Sequence, residues 1–202
     1  MAGNVAGVLL AAGSGSRLGQ PKALVVVGGE SLAGRGIALL RDGGTDPVIV
    51  VTGAAALADG TYPGVRCVHN PDWATGMGSS LAVGLAAVPD RCTAAVIALA
   101  DQPLVGPESV RRLIAAHARG AIVAVACYDG RPRNPVLISR NHWPEVVELA
   151  VGDVGARPFL RRHPELVTLV ECADAGRPDD IDSPEDLARI ERLLGREPRA
   201  AT

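Results

Sequence analysis

A glycine-rich loop directly follows the first apolar run of the chain, and this junction most constrains the fold. Val5–Leu10 is continuously apolar, and the chain then passes Gly13, Gly15 and Gly19. Glycine tolerates positive φ and lets the backbone lie close to a ligand. Successive backbone N–H groups in such a loop form a concave cradle for an anion. We therefore predict a buried strand that ends in an anion-binding loop.

Two cations lie in or just after this loop, Arg17 and Lys22. Lys22 is the only lysine among the 20 lysine and arginine residues of the chain. A compact ammonium acts as a point charge among phosphate oxygens, where a planar guanidinium is not equivalent. The sequence thus favours a phosphate-binding role for Lys22. The alternative is a solvated loop lysine, which would contribute little to stability.

Neither common phosphate-loop pattern fits the segment. A P-loop needs glycine, four residues and then Gly-Lys-Ser/Thr, but Lys22 follows Pro21. The dinucleotide pattern Gly-x-Gly-x-x-Gly begins at Gly13, but Leu18 stands at its third glycine. The loop is therefore of another type, although the half-match leaves a dinucleotide site open.

Composition limits the classes of protein that the chain can belong to. The 202 residues suit one domain, predicted over 1–195 with a tail at 196–202. A net charge of −2 argues against nucleic-acid binding. No leader or membrane span is recognisable, and the four cysteines form no C-x-x-C pair, so we expect a cytoplasmic protein. We expect a monomer or a weak homo-oligomer.

Short apolar runs alternate with helical stretches, which predicts an α/β layered fold with a mostly parallel sheet. A helix is expected over Ser31–Leu40 with Ser31 as its N-cap, and a short helix over Ala54–Ala58. A strand over Ala94–Ala100 ends at Asp101, where the carboxyl ends of parallel strands bind ligands. Tyr128–Pro135 is predicted to be a polar loop suited to an anionic second substrate.

Hydroxyl side chains begin a further predicted helix, Ser79–Val88, after a long polar turn. Ser79 and Ser80 at this helix N-terminus suit contact with the base, sugar or phosphate of a ligand. They are equally well explained as simple N-caps. Asp101 has a similar alternative, because aspartate is common in turns after strands.

The segment from Leu9 to Lys22 resembles the signature Leu-x-Ala-Gly-x-x-x-Arg-Met/Leu-Gly-x-x-Lys of MobA-like nucleotidyltransferases. Within that group the likeness is greatest to molybdenum cofactor cytidylyltransferases. The resemblance implies a three-layer α/β/α fold of the nucleotide-diphospho-sugar-transferase type, with a Rossmann-like N-terminal half. It also implies nucleotide-binding residues, namely Leu10, Ala11, Ala12, Gly13, Ser14, Gly15, Arg17, Gly19, Lys22, Gly78, Ser79 and Ser80.

Other parts of the chain match the same family. Asp101 corresponds to the aspartate of its Asp-x-Pro motif, which implies a magnesium ligand. Asp182, which precedes a Ser-Pro helix start, corresponds to a second metal-binding carboxylate. Asp153 lies in a Gly-Asp-x-Gly-Ala-Arg block beside the acceptor region, although an ion pair with Arg157 explains it equally well.

The resemblance implies a Mg²⁺-dependent transfer of a nucleoside monophosphate from an NTP to a phosphorylated small molecule, with Lys22, Arg17 and Asp101 as catalytic residues. Ala11-Ala12-Gly13 resembles the cytidylyl members of the family, which implies CTP, and molybdopterin is the acceptor that the resemblance implies. Three alternatives stay open: a sugar-phosphate nucleotidyltransferase, an NAD(P)H-dependent oxidoreductase, and a non-catalytic chaperone or insertase for the cofactor.

Overall fold

A computed structural model describes residues 4–57 and 60–195. Seven strands form one sheet, and two short strands form a separate hairpin. In chain order the strands are β1 (Asn4–Ala11), β2 (Val26–Val27), β3 (Glu30–Ser31), β4 (Val48–Thr52), β5 (Val65–His69), β6 (Cys92–Leu99), β7 (Val123–Tyr128), β8 (Arg131–Ser139) and β9 (Val167–Glu171).

The strand order of the large sheet is β5-β4-β1-β6-β8-β7-β9. The first four strands in this order are parallel, as in the first half of a Rossmann sheet. Strand β8 runs antiparallel to both β6 and β7, and β9 is parallel to β7. The prediction of an α/β fold with a mostly parallel sheet is confirmed.

Six α-helices accompany these strands in the described residues: α1 (Leu32–Asp42), α2 (Met77–Ala86), α3 (Pro107–Ala118), α4 (Trp143–Leu149), α5 (Arg157–Arg162) and α6 (Pro184–Leu194). Helices α1 and α3 cover one face of the sheet, and α2, α4 and α5 cover the other. Ser31 caps α1, since its side chain accepts a hydrogen bond from Gly34 N. The three layers agree with the predicted architecture.

A smaller apolar cluster connects the C-terminal helix to the segment after the glycine loop. Ile181 and Ile190 of the α6 region pack with Val25, Val27 and Leu32, and all five are fully buried. Burying such aliphatic side chains contributes roughly 1.5–3 kcal/mol each. The cluster therefore fixes the start of α6 beside the loop that contains Lys22.

Two local predictions are wrong. Residues 54–57 form a bend and irregular chain rather than the start of a helix, and 58–59 lie outside the described residues. The predicted loop Tyr128–Pro135 is a tight hairpin between β7 and β8 around Asp129 and Gly130, both at positive φ. The tail at 196–202 lies outside the described residues, and the single domain over 1–195 stays a prediction. Every helix in the described ranges is too short or too polar to span a bilayer.

Helix α2 begins in very close backbone contact with the segment that follows α4. A Cβ added to Gly78 would lie 1.7 Å from the carbonyl oxygen of Ala150. Gly76 has a φ of 120°, and a Cβ there would lie 2.4 Å from the carbonyl carbon of Gly152. Only glycine fits at these two positions.

We expect Gly78→Ala to lower the free energy of unfolding by about 1–3 kcal/mol because of the overlap with Ala150. The loss should occur although alanine favours helices over glycine by about 1 kcal/mol. Chemical denaturation monitored by circular dichroism measures it. Gly195→Ala is the matched control, since its φ is −72° and its Cβ would be no closer than 3.4 Å to a neighbour. Equal stability of the two variants would contradict the packing argument.

Candidate active site

The C-terminal ends of β1 and β6 bring the glycine loop and Asp101 to the same edge of the sheet. Leu10 and Leu99 are partners in the parallel register of these strands. The Ala100 backbone N–H then donates to the Leu10 carbonyl at 3.1 Å. The loop that leaves β1 and the residue that follows β6 are therefore neighbours.

The glycine loop folds back so that Lys22 returns to the end of β1. Gly15 adopts the left-handed conformation, with φ 59° and ψ 38°. A Cβ at this position would lie 2.1 Å from the Gln20 carbonyl oxygen. The Lys22 backbone N–H donates to the Gly13 carbonyl at 3.1 Å. This closure requires glycine at position 15 and places the ammonium over the sheet edge.

Helix α6 delivers a second carboxylate to this edge. The Ile181 backbone N–H donates to the Asp101 carbonyl at 2.9 Å, so the chain before α6 is bound directly to the residue after β6. A capping box forms between Ser183 and Asp186, and Asp186 Oδ2 also accepts from the Asp182 backbone N–H at 3.2 Å. Together these hydrogen bonds fix the direction of the Asp182 side chain.

The Lys22 ammonium lies between the two carboxylates. Lys22 Nζ donates to Asp101 Oδ2 at 2.7 Å and to Asp182 Oδ1 at 2.6 Å. Only 19% of the Lys22 side chain is exposed, so it is not the solvated loop lysine of the alternative explanation. Burial by itself would lower the pKa of Lys22, but the two aspartates outweigh it and raise the pKa above its ordinary value.

One oxygen of Asp101 is well placed to take a cation. Asp101 Oδ1 is buried, and it has no hydrogen-bond partner among the residues that the structure describes. An unpaired buried carboxylate oxygen is costly unless something compensates it. In the described ranges no group of three or more His, Cys, Asp and Glu residues is arranged to hold a metal. The two carboxylates on the Lys22 ammonium are those of Asp101 and Asp182.

A cavity of about 330 Å³ opens beside this triad of Lys22, Asp101 and Asp182. Seven of the predicted nucleotide-binding residues line it, and they come from the end of β1, the glycine loop and α2. These seven are Leu10, Ala11, Ala12, Gly13, Ser14, Lys22 and Ser80. Asp101 also lines the cavity. Asp182 is hydrogen-bonded to Lys22, which is itself a lining residue.

Five predicted nucleotide-binding residues do not line this cavity. Gly15 and Gly19 shape the loop, and the Arg17 side chain between them is exposed to solvent. The Cα of Gly78 faces the Ala150 carbonyl, which leaves no room for a ligand on that side. Ser79 Oγ donates to backbone carbonyls and accepts from Asn70 Nδ2 at 2.9 Å. Nucleotide contacts by all twelve residues stay predictions.

Among the lining residues outside the predicted nucleotide-binding set are Trp73, Met77 and Asp153. Asp153 Oδ1 accepts from the Met77 backbone N–H at 3.2 Å, so the acid sits at the N-terminus of α2. The expected ion pair between Asp153 and Arg157 is not found in the described residues. Trp73 both packs against Gly53 and faces the cavity. The sequence places Trp73, Met77 and Asp153 in notable segments, but it cannot show which way each side chain points.

The layered sheet and its helices form an α/β nucleotidyltransferase fold. A nucleotidyl transferase from Methanothermobacter shares this fold, with a TM-score of 0.78, 24% identity and coverage of 96% of this chain and 99% of that one. A family model described as the MobA-like NTP transferase domain matches residues 7–167. The chain belongs to this family.

Two further relatives are similar to the chain over nearly its whole length. It is 38% identical to a nicotine blue oxidoreductase of Paenarthrobacter nicotinovorans, over 92% of this chain and 96% of that one. It is also similar to Rv0371c from Mycobacterium tuberculosis, with a TM-score of 0.77, 30% identity and coverage of 95% and 100%. A structure of Rv0371c in complex with manganese has a TM-score of 0.72, 30% identity and coverage of 94% and 98%.

We expect Lys22→Ala to lower the free energy of unfolding by about 1–3 kcal/mol, because it leaves the Asp101 and Asp182 carboxylates facing each other without a counter-ion. Thermal and chemical denaturation measure the loss. Adding Asp182→Asn to this variant should recover part of it. Arg17→Ala, which removes an exposed cation from the same loop, should change stability by no more than about 0.5 kcal/mol. Equal losses from the two single variants would contradict a structural role for the ion pairs.

Proposed function

We propose that the protein transfers a nucleoside monophosphate from an NTP, with CTP favoured, to a phosphorylated small molecule in a Mg²⁺-dependent reaction. The observation that carries this proposal is the position of Lys22, whose ammonium lies between Asp101 and Asp182 at a cavity lined by the glycine loop. Family membership supports the NTP as donor. The phosphate-rich substrate and the positive loop are complementary in charge.

In this reaction an oxygen of the acceptor phosphate forms a bond to the α-phosphorus of the NTP. The bond from that phosphorus to the bridging oxygen of the β-phosphate breaks, and pyrophosphate leaves with the electron pair. The acceptor phosphate is already ionised, so no general base is required. The residues Gly13 to Gly19 would hold the phosphates, and Lys22 and Arg17 would offset the charge that develops on the α-phosphate and on pyrophosphate.

Asp101 and Asp182 are the residues that would hold the metal. Carboxylate oxygens are the ligands that Mg²⁺ and Mn²⁺ favour, and Mg²⁺ commonly uses one or two of them together with substrate phosphates. The unpartnered Asp101 Oδ1 fits such a cation. When bound, the metal would neutralise phosphate charge and align the acceptor with the α-phosphorus. The manganese complex of the relative Rv0371c is in keeping with a divalent ion at this fold.

Molybdopterin is our proposed acceptor, and a sugar phosphate is the alternative within the same reaction class. CTP is favoured because Ala11-Ala12-Gly13 resembles the cytidylyl members of the family more than the guanylyl members. We place the reaction in the cytoplasm, where buried thiols such as Cys92, Cys127 and Cys172 stay reduced. A monomer or a weak homo-oligomer would suffice, because the triad and the cavity come from one chain.

A second candidate function is NAD(P)H-dependent oxidoreduction. The relative named nicotine blue oxidoreductase favours it, with 38% identity over most of both chains. Gly13-Ser14-Gly15 is half of a dinucleotide pattern. Against it, hydride transfer has no need of two carboxylates around an ammonium, and Leu18 replaces the third glycine of that pattern.

We expect pyrophosphate to be released when the protein, Mg²⁺ and a phosphorylated acceptor are mixed with CTP, and more slowly with GTP, ATP or UTP. Molybdopterin and glucose 1-phosphate are the acceptors to compare. EDTA should abolish the reaction because the triphosphate then lacks its counter-ion. The oxidoreductase would be favoured instead by two results together. NADPH would be oxidised with a dye as acceptor at a rate that EDTA does not lower, and no NTP would release pyrophosphate.

We expect Asp101→Asn to lower kcat at least about 100-fold and to remove the response of the rate to Mg²⁺, because the amide binds a divalent cation weakly. Rates across a magnesium titration measure both effects. Asp90→Asn is the control, since Asp90 is fully exposed and lies outside the cavity. A variant at position 101 with the wild-type magnesium response would remove Asp101 from the metal site.

A further inference from the structure

A second and larger cavity, of about 860 Å³, lies between α5 and the half of the sheet that contains β8. Leu99 lines both this cavity and the one beside the triad. Gln102 and Asp180 also reach it, and Gln102 Nε2 donates to Asp180 Oδ1 at 2.8 Å. The second cavity therefore begins where the candidate active site ends.

Slightly more than half of the second cavity's wall is apolar. Val125 and Val136 contribute from the sheet, Leu160 from α5, and Val167 and Leu169 from β9. Leu169 is 52% exposed, so about half of this aliphatic side chain is in contact with water. A ligand with an apolar face would cover these side chains and remove them from water. The size of the cavity is in the range that holds drug-sized ligands.

Three arginines line the cavity beside these apolar side chains, and Asp180 is the one acid among its described lining residues. Arg133, Arg157 and Arg161 line the cavity, and none of them has an ion pair with an acid in the described residues. Arg157 and Arg161 are four residues apart on α5, so like charges lie on one side of a short helix, which is unfavourable without a counter-ion. The neighbouring Arg162 does pair, with Glu145 at 3.6 Å. The unpaired arginines face the cavity, and the paired one does not.

We propose that this cavity binds the acceptor, and that the acceptor is an amphipathic anion: a phosphorylated molecule whose body has a broad apolar or aromatic face. A sugar phosphate is disfavoured, because some of its hydroxyl groups would lie against aliphatic side chains such as Val136 and Leu160. The statement that this anion is the acceptor rests on the proposed nucleotidyl transfer. The statement that the cavity binds such an anion is independent of that reaction.

The test measures binding rather than turnover, so it is independent of the proposed reaction. Isothermal titration of the full chain, without nucleotide, compares 1-naphthyl phosphate with glucose 1-phosphate and with inorganic phosphate. We expect 1-naphthyl phosphate to bind at least about tenfold more tightly than either of the others, because only this probe covers the apolar wall. Equal or tighter binding of glucose 1-phosphate would overturn the proposal.

Variants locate the binding to this cavity. Arg157→Gln combined with Arg161→Gln should weaken 1-naphthyl phosphate at least about tenfold through lost charge, and Leu169→Asp should do so by placing an acid on the apolar wall. Arg162→Gln, on the same helix but outside the cavity, should leave the affinity unchanged. Unchanged binding in both cavity variants would overturn the proposal.

The titration of CTP into the same variants separates this proposal from the proposed nucleotidyl transfer. CTP affinity should stay at the wild-type value in the α5 and Leu169 variants, because the nucleotide cavity is intact. Circular dichroism confirms that each variant is folded. Loss of CTP and 1-naphthyl phosphate binding together would overturn the assignment of two separate cavities, whereas wild-type protein that binds 1-naphthyl phosphate but not CTP would contradict only the proposed donor.

Discussion

The charge balance around Lys22 is the constraint on which the rest of the site depends. Two carboxylates at one sheet edge repel each other, and burial makes this repulsion stronger than it would be in water. A single ammonium within 2.7 Å of both removes it. This arrangement has two requirements. The glycine loop must turn back to β1, which the closure at Gly15 provides, and the last helix must lie beside the loop, where the apolar cluster around Ile181 holds it.

Sequence reasoning reached the architecture and much of this site because the deciding signals are local. The apolar run before Gly13 predicts a buried strand, and the lone lysine among arginines singles out position 22. Asp101 stands just after a predicted strand, where parallel sheets bind ligands. Ser183-Pro184 is a strong helix start, which left Asp182 unexplained by capping. The structure brings Lys22, Asp101 and Asp182 together although they are far apart in sequence.

The parts that sequence missed depend on contacts between distant segments. The packing of α2 decides whether Gly78 faces a ligand or the Ala150 carbonyl. The residues next to Gly78 in the sequence do not indicate this packing. Asp153 has a partner four residues away that helix spacing favours, yet it binds the α2 N-terminus instead. The first half of β8 has the sequence of a loop, because it contains prolines at positions 132 and 135 and proline usually interrupts strands.

Leu99 has a consequence for how two substrates would meet. Its side chain forms part of the wall of both cavities, so the two cavities adjoin at this residue. The end of β1, which is parallel to β6, lines the first cavity, and β8, which is antiparallel to β6 on its other side, lines the second. Both cavities thus border on one sheet, and in the proposed reaction the donor and the acceptor would meet without a hinge between domains.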